Sequence, residues 1–105
     1  MSFDVMAKYN FKVEACAEER MEAGREKHDY YDPHVDKDWS AHGFEEAADS
    51  LNYARMEIKT VLMGRPKLTI EQVERSLTRL DQISKTSREL GALWAEYSEW
   101  KRLEM

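Results

Sequence analysis

Two pairs of carboxylates in this chain stand one helical turn apart: Glu19 and Glu22 in "EERME", and Glu46 and Asp49 in "EEAAD". Residues at i and i+3 share a helix face, so each pair can aim two oxygen donors at one point. If the two helices lie side by side, four acidic groups converge, and they repel one another unless a cation sits between them. All-oxygen donors suit Mg²⁺ or Mn²⁺. Mg²⁺ keeps water positions open, and the phosphate oxygens of a nucleotide can take them. The competing expectation is a solvated acidic face whose charges offset the positive end of a helix dipole.

The rest of the composition narrows what can position these groups. With 105 residues, 35% charged and 42% hydrophobic, the chain has the makings of one helical domain, 1–105. It has only four Gly and two Pro, and no run alternates apolar with polar residues, so an all-α fold is expected. No apolar stretch is long enough to span a bilayer, and "MSFDVMAKYN" lacks the regions of a signal peptide, which predicts a cytoplasmic protein without a membrane partner. The single cysteine, Cys16, cannot form an internal disulfide and falls on an apolar stripe, where it reads as a core residue. The net charge is −5, with the acidic excess concentrated in the first forty residues. That sign argues against a nucleic-acid partner.

Hydrophobic periodicity predicts three helices, with boundaries near 4–27, 43–63 and 70–104. The first carries Met6, Tyr9, Val13, Cys16, Ala17, Met21 and Gly24 on one face. A polar, Pro-containing loop over 28–42 follows. The second helix, starting at Gly43 or at the earliest Ser40, buries Phe44, Ala47, Leu51, Ala54, Ile58 and Val61, and stops at Gly64. A short linker then folds the chain back, and Thr69 with Gln72 forms a capping box. The third helix begins on a seam of Ile70, Val73, Leu77 and Leu80, which gives way to Ser84, Ser87 and Gly91. A shifted apolar series runs through Ile83, Leu90, Leu93, Tyr97 and Trp100. The change of phase predicts either a bend near 84–87 or two halves with different partners. An unbroken helix of this length, roughly 50 Å at 1.5 Å per residue, outruns so small a domain. The expected architecture is therefore a three- or four-helix antiparallel bundle that assembles into a homo-oligomer.

The spacing E-x-x-E, 23 residues, E-x-x-D resembles the signature of the MazG-like, all-α nucleoside triphosphate pyrophosphatases. The doubled acids Glu18-Glu19 and Glu45-Glu46, and the following "DSLNYARMEI", are similar to that family as well. The resemblance spans residues 18–63. It implies Glu19, Glu22, Glu46 and Asp49 as magnesium (or manganese) ligands, and Asn52 and Tyr53 as substrate contacts. It implies Glu45 or Glu18 as the base, and hydrolysis of a nucleoside triphosphate to monophosphate and pyrophosphate in a dimer or tetramer. Trp39, just before the second helix, either stacks on a nucleobase or plugs the end of the bundle. A different class of function is also open: a small acidic helical protein that binds or inhibits a partner, or a relative that binds nucleotides without cleaving them. The acidic loop residues Asp32, Asp36 and Asp38 lack the Gly and Glu of an EF-hand, and His28, His34 and His42 lack zinc-ligand spacing.

Overall fold

The computed structural model describes residues 3–28, 37–65 and 67–104. Among them it is all-α: α1 (Phe3–His28), α2 (Trp39–Leu62) and α3 (Ile70–Glu104). The chain divides into two compact units, Met1–Lys37 and Asp38–Met105.

The second unit is a helical hairpin whose ends are written in local chemistry. Gly64 takes a left-handed φ of 70°, open to glycine because it has no Cβ. Its N–H donates to Val61 O at 3.1 Å and that of Arg65 donates to Thr60 O at 3.3 Å, closing α2 in a Schellman motif. At the start of α3 the expected capping box is present: Gln72 N–H donates to Thr69 Oγ1 at 3.1 Å, and Thr69 N–H donates to Gln72 Oε1 at 2.9 Å.

Contacts between the helices fix their direction and register. The Ser50 and Ser87 hydroxyls are hydrogen-bonded at 2.9 Å, and Ser98 Oγ donates to Ser40 Oγ at 2.9 Å. Numbers therefore rise along α2 as they fall along α3, and the pair is antiparallel. Ala47, Ala54 and Val61 are buried on one side of the seam, and Ser84, Ser87 and Gly91 on the other. Small residues let two helix axes come close. A Cβ on Gly91 would meet the Ala47 Cβ at 3.6 Å, ordinary van der Waals contact.

Four sequence expectations change here. First, Ser84, Ser87 and Gly91 do not mark a change of partner, since they are buried against the same α2. α3 is one helix of 35 residues, and these three continue its seam against α2. Their polarity is absorbed locally, since Ser84 Oγ donates to Leu80 O at 3.0 Å and Ser87 pairs with Ser50. Second, α2 begins at Trp39, four residues ahead of Gly43 and one ahead of Ser40, because Asp38 caps it and α3 holds its first turn. Third, that earlier start leaves no acid in the first turn, so Glu45, Glu46 and Asp49 lie too far in to offset the helix dipole. Fourth, Cys16 is exposed, as are Met6, Tyr9, Val13 and Met21. Among the described residues of its unit, α1 has no second element to bury a stripe against.

Candidate functional site

The seam sorts the remaining residues of the hairpin onto two sides. On α2, Phe44, Leu51 and Ile58 flank the seam on one side, while Trp39, Glu46, Asp49, Tyr53 and Met56 flank it on the other. Equivalent flanks of an antiparallel pair meet, and an open groove lined by Phe44 and Ala41 with Ala95 and Arg102 identifies the first side. The second side therefore joins the acidic flank of α2 to the shifted apolar series of α3: Ile83, Leu90, Leu93, Tyr97 and Trp100. All five of these α3 residues are exposed, Leu93 to 62%. The face is half carboxylate and half hydrocarbon.

Trp39, Glu46 and Tyr53 recur every seven residues, so they form a line along this face with Asp49 one turn beyond Glu46. Trp39 is half-buried, its ring 6.0 Å from that of His42, whereas Tyr53 is 71% exposed. Glu45 borders the groove on the Phe44 side together with Ala95 and Glu99 of α3, 3.8 Å from His42 Nδ1, and Asn52 is exposed. Of the expected site residues on the hairpin, Trp39, Glu46 and Tyr53 recur at seven-residue spacing with Asp49 one turn from Glu46, Asn52 is next to Tyr53, and Glu45 borders the groove.

Glu18, Glu19 and Glu22 are exposed on α1, in the first unit. Among the described residues no group of three or more His, Cys, Asp or Glu side chains gathers closely enough to hold a metal ion. The four expected ligands come as two pairs, one per unit. Their chemistry fits a hard divalent cation, since all are carboxylates and all are open to solvent.

A polar cluster at the start of α2 has no counterpart in the sequence reading. Asp38 Oδ1 accepts from the Ser40 hydroxyl at 2.6 Å, the Ala41 N–H at 3.2 Å and Lys101 Nζ at 3.3 Å. The Ser40 hydroxyl, then the Ala41 N–H and Lys101, hold the Asp38 carboxyl down to about 2. Asp38 and Ala41 are readable in advance as a helix cap. Lys101 lies far along the chain, and no local pattern announces it.

Comparison with known proteins finds no family model, no curated protein and no solved structure that matches this chain.

Proposed function

We propose that this protein is a magnesium- or manganese-dependent nucleoside triphosphate pyrophosphohydrolase, cytoplasmic and homo-oligomeric as a dimer or tetramer. The observation that carries the reading is the line of Trp39, Glu46, Asp49 and Tyr53 on the exposed face of the hairpin. One helix presents two carboxylates between two aromatic rings, spaced to take the phosphates and the base of one nucleotide.

In this reading Glu19, Glu22, Glu46 and Asp49 hold the cation, which when bound clamps phosphate oxygens and lowers the pKa of the attacking water. Glu18, beside Glu19, or Glu45, beside Glu46, takes the proton from that water. Water adds to the α-phosphorus and the α–β bridge breaks, leaving monophosphate and pyrophosphate. Trp39 stacks on the base, and Tyr53, toward the other end of the line, and Asn52 help hold the substrate.

The test is a panel of nucleoside triphosphates with Mg²⁺ or Mn²⁺, read as pyrophosphate released. Cleavage that disappears in Asp49→Asn and Glu46→Gln supports the assignment, as does a metal-dependent rise in Tm lost in the same variants. A wild type indifferent to both ions, and inactive across the panel, removes it.

A second reading rests on a separate observation: the described residues include no large, fully buried side chain, and the apolar series of α3 is exposed. Such a surface suits a protein whose work is association with itself or a partner. Leu93→Glu tests it by sedimentation. Loss of an assembled species without loss of helix supports the reading, and an unchanged monomer opposes it.

A further inference from the structure

The first turn of α2 is held from the last turns of α3. Lys101 Nζ donates to Asp38 Oδ1 at 3.3 Å and to Ser40 Oγ at 3.0 Å. Ser40 Oγ in turn accepts from Ser98 at 2.9 Å and donates to Asp38 at 2.6 Å. A serine hydroxyl offers one donor and two acceptor sites, and here all three are used. The residue is 3% exposed, so each of those bonds is hard to replace with water. Lys101 also lies over the Tyr97 ring, with Nζ 5.6 Å from its centroid. The two residues that Lys101 grips, Asp38 and Ser40, bracket Trp39. Unwinding the first turn of a helix frees its residues from helical φ and ψ and so from their fixed places on the helix face. Whatever sets the first turn therefore sets where Trp39 faces.

We infer that Lys101 is a positioning residue: gripping Asp38 and Ser40, it fixes the first turn of α2 and the direction of Trp39. Its bearing on a substrate rests on the pyrophosphohydrolase reading, in which Trp39 meets the base. Glu46 and Asp49 lie two turns further on and are held by the seam, so they keep their places without Lys101. Loss of the lysine accordingly weakens nucleotide binding and spares the chemical step.

Lys101→Met keeps the stem over Tyr97 and removes the donors. Amide hydrogen exchange is compared at Ala41 and His42, with Val73, bonded to Thr69 O at 2.9 Å, as the reference at the start of α3. At least tenfold faster exchange at Ala41 and His42, an unchanged Val73 and a displaced Trp39 indole resonance are expected, with Lys101→Arg recovering most of the protection. With nucleotide, KM rises several-fold at constant kcat. Unchanged exchange at Ala41 and His42 overturns the inference. So does a uniform rise that includes Val73, which would mark general destabilisation. If Lys101→Met does not fold, Lys101→Gln is measured in its place and judged the same way. A wild type that cleaves no nucleotide sinks the pyrophosphohydrolase reading alone, because the exchange measurement needs no substrate.

Discussion

The ring of Trp94 lies over the bare Cα of Gly43. A Cβ at that position would fall 2.6 Å from Trp94 Cδ2 and 2.8 Å from Cζ2, closer than side-chain atoms approach one another. The bulkiest residue on the α3 seam is thus accommodated by the single glycine of α2. Adding one methyl should force the ring off its rotamer or part the helices. Gly43→Ala is expected to cost about 1–3 kcal/mol, read from urea unfolding. Trp94→Leu in the same chain should recover part of the loss. A Gly43→Ala protein as stable as the parent would show that this contact gives way easily.

Gly91 makes the opposite case. Its added Cβ would touch the Ala47 Cβ at an ordinary 3.6 Å, and alanine is the better helix former by about 1 kcal/mol. Gly91→Ala should be neutral or stabilising, whereas Gly91→Leu should unfold at clearly lower denaturant. Two glycines on one seam then differ in the sign of the same substitution.

Gly64 is required by backbone conformation, since nothing lies within 4 Å of the place its Cβ would take. With φ at 70°, Gly64→Ala should lose about 1–2 kcal/mol with no change in packing. Gly64→Asn should lose less, because asparagine visits this region more readily. Thermal unfolding of the three proteins orders them.

Asp38 predicts a pH dependence with a definite sign. Its pKa falls from 3.8 to about 2 on folding, so the ionised cap favours the folded chain. That contribution is complete above the unfolded value near 4 and fades as the pH drops through 4 toward 2. The Tm difference between wild type and Asp38→Ala should therefore be constant from pH 5 to 7 and close to nothing by pH 2. A difference that grows on acidification would contradict the bonds drawn to Asp38.

Much of the hairpin was legible along the chain. Gly64 with its left-handed turn, and Thr69 with Gln72, are end signals that act within a few residues of themselves, and both appear as read. The apolar period of α2 located its buried stripe only in part: Ala47, Ala54 and Val61 are buried, Leu51 and Ile58 are half-buried, and Phe44, expected in the stripe, is exposed because the smaller residues carry the contact with α3. Residues 29–36, most of the loop expected over 28–42, lie outside the described residues. On the candidate site the reading was partial. The grouping of Glu46, Asp49 and Tyr53 follows from spacing on α2, whereas Trp39 joins it only because α2 starts there, and which of its flanks meets the α3 series needed the register of the pair.

By itself, then, the order of residues determined an all-helical chain, the stops and starts around Gly64 and Thr69, and the pairing of acids one turn apart. Only the tertiary structure decided that Ser84, Ser87 and Gly91 form the close contact with α2, that α2 starts at Trp39, and that Lys101 holds that start. The reason is range. Caps and amphipathic periods are set by neighbours a turn away, whereas small and polar residues read as interruptions until a second helix approaches near enough to bond the Ser87 hydroxyl and fill the space beside Gly91.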